Sequence, residues 1–191
     1  MLRSNMSNRE NRRDALVDRM ADYLLAEGLA GATLRPLAAA AGTTDRMLLY
    51  YFSDKDELLT AILERIAARI LAALNDIIAP RRPFMALLND VWTVLGSPQH
   101  RPYMEIWYDL AASATRGLEP HRKISGNIAD GYLAWIESRL GHDAGGLPRQ
   151  TAPLLLATLQ GLYLLDAIGR PAIATEATTA LAKYTVEERS S

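Results

Sequence analysis

Apolar residues recur at helical spacing along this chain, and nowhere do they alternate with polar ones in a run bounded by turn residues. That pattern predicts an all-α protein. Leu16, Met20 and Leu24 lie at i, i+4 and i+8 with Val17, Ala21 and Leu25 beside them, so a first helix is expected from about Asn8 to Glu27, stopped by Gly28. A short helix follows, opened by Thr33 as N-cap, carrying Pro36 in its first turn where the missing N–H costs nothing, and closed near Ala41 by Gly42. Thr44 caps a third helix through about Phe52, with Asp45 beside its positive end. Ser53 with Asp56, or Asp54 with Glu57, can form a capping box for a long fourth helix, whose stripe of Leu58, Leu59, Ile62, Leu63, Ile66 and Ile70 ends before Pro80. Pro and Gly then punctuate helices at about 83–95, 101–116, 120–140, 149–168 and 171–188. The whole amounts to about nine helices.

Composition removes several classes of chemistry. The 191 residues contain no cysteine, which excludes a disulfide framework, a thiol nucleophile, Cys-ligated zinc and an iron–sulfur cluster. His100, His121 and His142 are isolated in sequence, without ligand spacing, so neither metal nor cofactor is expected. The segment MLRSNMSNRENRRD lacks the apolar core of a signal peptide, and the most apolar stretch, 154–165, is interrupted by Thr158, Gln160 and Gly161. A cytoplasmic protein without a membrane partner is expected. A net charge of -1 does not announce a polyanion partner, so any nucleic-acid reading must rest on where charge is placed. Residues 1–55 hold 8 basic and 7 acidic side chains, and Arg3, Arg9, Arg12, Arg13 and Arg19 supply five of the basic ones.

Two short helices joined by a glycine-containing turn, with Ala38 to Ala41 letting them approach closely, describe a helix-turn-helix. In that motif the second helix enters the major groove of duplex DNA, and its first turns, here Thr43 to Tyr50, face bases and phosphates. The run 33–63, TLRPLAAAAGTTDRMLLYYFSDKDELLTAIL, resembles the N-terminal DNA-binding region of the tetracycline-repressor (TetR) family of bacterial regulators. The features that match in order are Thr33, Ala38, Ala41-Gly42, Thr44, Leu48, Phe52, Lys55 and Leu58. Leu49 stands where that family often has Tyr, Arg46 where it often has Gly or Ala, and Tyr51 where it commonly has His.

The resemblance implies a DNA-binding head at 1–55, with 1–8 disordered, and a helical ligand-binding and dimerisation domain at 56–191. It also implies a repressor that binds a palindromic operator as a homodimer and is released by a small-molecule effector. The expected DNA-binding set is Thr33, Thr43, Thr44, Asp45, Arg46, Met47, Tyr50, Tyr51 and Lys55. Arg46 is set to read guanine and Asp45 to serve the helix dipole, while Met47 is either a thymine-methyl contact or a core-edge residue. Leu48 and Leu49 are read as packing residues, and Tyr50, Tyr51 and Lys55 as phosphate contacts. The early arginines could form an arm along the minor groove or simply a polar tail.

Aromatic residues concentrate in the second half, and an aromatic stripe at helical spacing is either core or the lining of a small-molecule pocket. The expected ligand set is Ile62, Trp92, Tyr103, Trp107, Tyr108, Tyr163 and Asp166. The helix around Leu154 to Leu165 is apolar nearly all round, so it needs cover on every side, and a second copy would provide it. Leu155, Leu159 and Leu162, with Ala177, Leu181 and Tyr184 of the last helix, form the expected dimer interface. The competing readings are a helical interaction protein that has lost DNA binding and an enzyme on a helical scaffold. No nucleophile elbow, P-loop or zinc-protease signature supports the enzyme.

Overall fold

The computed structural model describes residues 2–141 and 148–187, with side chains over 9–141 and 151–183. Nine α-helices follow one another among the described residues: α1 (Leu2–Glu27), α2 (Leu34–Ala40), α3 (Asp45–Tyr51), α4 (Lys55–Ile77), α5 (Phe84–Leu95), α6 (Arg101–Thr115), α7 (His121–Arg139), α8 (Pro148–Ala167) and α9 (Pro171–Glu187). A single 3₁₀ turn, Leu29–Gly31, bridges α1 and α2. The punctuation by Gly and Pro therefore places every helix to within a residue or two, except the first. α1 begins at Leu2 rather than near Asn8, and residues 2–8 are helical rather than a disordered lead. Neither Gly nor Pro occurs before Gly28, and Arg, Asn, Ser and Glu are tolerated on an exposed helix face, so nothing in this stretch breaks the helix. Gly28, at φ 79°, then ends it in the left-handed region.

By packing, the chain divides into two units, residues 1–73 with 99–129 and residues 74–98 with 130–191. The first unit is built around α1, whose Leu16, Val17, Met20, Ala21 and Leu24 are all buried. Leu37 of α2, Leu48 of α3, Phe52, the Leu58, Ile62 and Ile66 stripe of α4, and Ile106 and Leu110 of α6 belong to the same core.

In the second unit, α5 contributes Leu87, Leu88 and Val91, and α8 contributes Leu155, Leu159, Leu162 and Tyr163. Trp92 stacks on Tyr163 with ring centroids 4.8 Å apart, and the Tyr163 hydroxyl donates to the Val91 carbonyl at 2.7 Å. Trp135 of α7 donates its indole N–H to Asn75 Oδ1 at 2.8 Å, and Arg139 bonds the same oxygen. The expectation that α8 needs cover on every side resolves into two faces. Leu155, Leu159 and Leu162 point into the chain's own core, while Leu154 and Leu164 are each 53% exposed.

Candidate nucleic-acid interface

The turn between α2 and α3 is fixed by backbone geometry. Gly42 sits at φ 68°, and the N–H groups of Gly42 and Thr43 donate to the carbonyls of Ala39 and Ala38 at 3.0 and 2.9 Å. This is a Schellman C-cap, which a β-carbon at position 42 would strain. The carbonyl of the buried Ala41 at the helix end accepts from Arg19 Nη1 of α1 at 3.0 Å. Beyond the turn, Thr44 adopts extended backbone and its hydroxyl accepts from the Met47 N–H at 3.3 Å, the N-cap bond its residue type predicts. Thr33 opens α2 in the same conformation without a side-chain cap bond.

α3 has only seven residues, too few to be stable alone, so its orientation is set by neighbours. Leu48 is fully buried and Phe52, four residues on, is buried with it; together they anchor one side of the helix. The opposite side lies open. Asp45 and Arg46 are exposed, and so are Met47 at 38%, Leu49 at 49% and Tyr50 at 59%. Tyr51 and Thr43 are half-buried, while Thr33, Thr44 and Lys55 are exposed. The structure thus brings Thr43, Thr44, Asp45, Arg46, Met47 and Tyr50 onto one short element, with Lys55 at the start of the next. Leu49, read from sequence as packing, is not packed. The signal was available: Leu48 and Phe52 at i and i+4 mark the inward direction, which position 49 does not share.

Helix α1 reaches across to both ends of this element. The Arg9 guanidinium donates to the Tyr50 carbonyl at 3.3 Å and lies 4.9 Å from the centre of the Tyr50 ring. Arg13 pairs with Glu57 at 3.0 Å and stacks 4.5 Å over Phe52. These two arginines are parts of a helix that hold the α3–α4 corner, not members of a loose arm. At that corner Asp54 Oδ1 accepts from the Glu57 N–H at 2.8 Å, and Glu57 Oε2 accepts from the Ser53 N–H at 2.7 Å. Of the two capping pairs open in the sequence, Asp54 with Glu57 is therefore the one that forms, with Glu57 reaching one residue beyond the cap. The Ser53 hydrogen bond, aided by Arg13, holds the Glu57 carboxyl below its ordinary pKa.

Further along, α1 and α4 are joined by a ladder of ion pairs. Arg65 meets Asp14 and Asp18 at 2.9 and 2.7 Å, and Arg69 meets Asp18 and Asp22 at 2.8 and 2.6 Å. The three aspartates recur every four residues on α1 and the two arginines four apart on α4, so each helix presents its charges on one face. Burial pushes the Asp18 carboxyl up, but the hydrogen bonds and charges of Arg65 and Arg69 outweigh it and hold its pKa low.

The expected ligand residues fall into both units. Ile62 is wholly enclosed in the first core, and Tyr103, Trp107 and Tyr108 are half-buried along α6. Trp92 and Tyr163 form the stacked pair in the second, and Asp166 is exposed near the end of α8. A cavity of about 290 Å³ in the second unit is lined instead by Ile77, Ala79, Arg82, Asp90, Thr93 and Val94, with Arg82 Nε donating to Asp90 at 2.8 Å on its wall. Of the expected dimer residues, Leu155, Leu159 and Leu162 are already buried within one chain and have no surface to offer a partner. Ala177 is exposed and Leu181 half-buried, while the Tyr184 side chain lies outside the described residues. No helix among the described residues is long and apolar enough to cross a membrane.

A short exposed helix, capped by threonine and set behind a glycine corner on a buried leucine, is the reading head of a helix-turn-helix DNA-binding protein. Residues 21–62 match the family model described as bacterial regulatory proteins, tetR family. The chain is 28% identical over 186 residues to the HTH-type transcriptional regulator BetI of Burkholderia thailandensis, with 91% of each chain covered. Among solved structures, E. coli NemR in its reduced form matches with a TM-score of 0.67 at 21% identity, covering 91% of this chain and 96% of that one. The multidrug binding protein EbrR complexed with proflavin matches with a TM-score of 0.64 at 26% identity, covering 90% and 98%. The matched segment is a tetR-family domain, and over most of its length the chain is similar to bacterial DNA-binding transcriptional regulators.

Proposed function

We propose that this regulator is a cytoplasmic repressor that binds a palindromic operator as a homodimer and leaves it when a small molecule binds. The observation that carries the reading is the open side of α3, with Arg46 at its centre and Leu48 buried behind it. Residues 1–55 form the DNA-binding head. Arg46 donates to a guanine edge, Asp45 serves the helix dipole, and Thr33, Thr43, Thr44, Tyr50, Tyr51 and Lys55 meet phosphates.

Residues 56–191 serve dimerisation and effector binding. The outward side of α8, with Leu154, Ala157, Gly161 and Leu164 at helical spacing, the exposed Ile168 just past its end, and the exposed Ile173 and Ala177 of α9 form the two-fold contact. These replace Leu155, Leu159 and Leu162. Dimerisation places two copies of α3 roughly 34–36 Å apart, the spacing of successive major grooves on one side of a duplex. The proflavin complex of EbrR supports an effector of small aromatic type, for which the candidate contacts are Tyr103, Trp107 and Tyr108 in the first unit or Trp92, Tyr163 and Asp166 in the second. Because the ion-pair ladder ties α4 to α1, an effector that displaces α4 carries the reading head with it. Effector and operator then oppose one another by about 1–3 kcal/mol, reciprocally.

Selection of bound duplexes from a random pool by the purified protein tests this reading. A palindromic consensus with half-sites about one helical turn apart is expected, and an asymmetric or absent consensus overturns it. A second reading, a helical interaction protein without DNA binding, draws on the nearly neutral head and on Asp45. It requires affinity for duplex DNA that is absent or unresponsive to salt, whereas phosphate contacts predict a steep loss as salt rises.

A further inference from the structure

Position 49 departs from the family's usual Tyr and carries an apolar side chain half open to solvent in the middle of the reading element. It belongs to neither the buried core of the first unit nor the partly buried residues packed on that core. Successive residues turn by about 100° around a helix, so, with Leu48 pointing inward, Arg46 and Tyr50 point most directly out. Leu49 then flanks Arg46, and Met47 flanks Tyr50. The Tyr50 side is engaged by α1, since Arg9 lies on that ring and bonds that carbonyl. The side shared by Arg46 and Leu49 has no such cover, and it pairs a five-donor cation with an aliphatic group.

We infer that Leu49 is a specificity-determining residue that packs on the C5-methyl group of a thymine beside the guanine read by Arg46. This rests on the operator-binding reading above. In the major groove the thymine methyl is the only apolar group on a base edge, and it distinguishes T from C at the same place. The rise from Arg46 to Leu49 is about 4.5 Å, against about 3.4 Å per base step, so the two side chains reach bases one or two steps apart. A tyrosine here would bring a hydroxyl able to donate to a phosphate; leucine exchanges that contact for direct readout of a methyl group.

The test uses a duplex selected by the wild-type protein from a random pool, re-synthesised with deoxyuridine in place of each thymine in turn. Removing one buried methyl is expected to weaken wild-type binding about four-fold per half-site at a single thymine near the Arg46 guanine. Leu49→Ala should bind the parent duplex correspondingly less tightly and lose its sensitivity to uracil there, while Leu49→Met, which keeps an apolar reach, should restore part of that sensitivity. Helical content by circular dichroism should be unchanged in both, because the side chain is outside the core. Uracil sensitivity at no thymine, or equal sensitivity in wild type and Leu49→Ala, overturns the inference while leaving DNA binding intact. Loss of the sensitivity in Met47→Ala instead assigns the methyl to Met47 and also overturns it. Failure to bind any duplex overturns this inference together with the reading beneath it.

Discussion

The α2–α3 corner and the α8–α9 hairpin are both built from short-looped helices, yet they are restrained in opposite ways. Around the two ends of α3, polar atoms at helix ends are gripped from another helix: Arg19 on the Ala41 carbonyl and Arg9 on the Tyr50 carbonyl. In the hairpin, the hydroxyls of Thr158, Thr175 and Thr179 bond back to carbonyls of their own helices, and the outward side is apolar. Directional bonds fix a surface that must match hydrogen-bonding edges on DNA. A non-directional apolar face suits a contact with a second copy, where burial rather than angle supplies the affinity.

The largest effect that separates the two sides of α8 should come from Leu155→Ala, which opens a cavity in a packed core. It is expected to lower the free energy of unfolding by about 2–5 kcal/mol in urea titrations. Leu164→Ala should leave the monomer's fold intact and weaken self-association, read by analytical ultracentrifugation. If Leu155→Ala instead dissociated dimers without destabilising the chain, the inward and outward assignments would be reversed.

In the reading head, Arg46→Ala should cost about 1–3 kcal/mol on the preferred duplex and relax the preference at one base pair. Lys55→Ala should weaken all sequences alike and lower the slope of log affinity against log salt by about one. Parallel titrations of both variants on selected and scrambled duplexes check this, and identical behaviour would remove the distinction between reading and anchoring.

The smallest effect concerns the ladder. Asp18 has a lowered carboxyl pKa in the folded chain against 3.8 as its ordinary value, so its charged form stabilises the fold at neutral pH. That contribution is lost as pH falls from 3.8 through the lowered value, because both states then hold the proton. Asp18→Asn should thus be less stable than wild type at pH 7, by at most about 1 kcal/mol for a partly exposed pair, and the gap should close under strong acid. A gap that widened in acid would contradict the ion pairing.

How much of this was legible without coordinates differs between the two regions. The helix boundaries and the corner were readable because Gly, Pro and capping threonines act locally, within a turn of the residue concerned. Leu48 and Thr44 took the places their residue types imply. The inward side of α8 was not readable, since a helix with leucines at 154, 155, 156, 159, 162, 164 and 165 offers no polar face from which to measure direction. The N-terminal arginines were misread for the converse reason. Polar composition at a chain end suggests a tail, and only the packing of α1 shows that Arg9 and Arg13 have carbonyl, carboxylate and ring partners 39 to 44 residues away.

The grip of α1 on the corner bears on how portable the recognition element is. A peptide spanning only the two short helices would leave Ala41 and Tyr50 without their guanidinium partners and Leu48 without its pocket, and so would have no reason to keep its bend. Transplanting this element onto another scaffold therefore means carrying residues 9 to 69 as one piece, because the shape of α3 is held by side chains of α1 and α4.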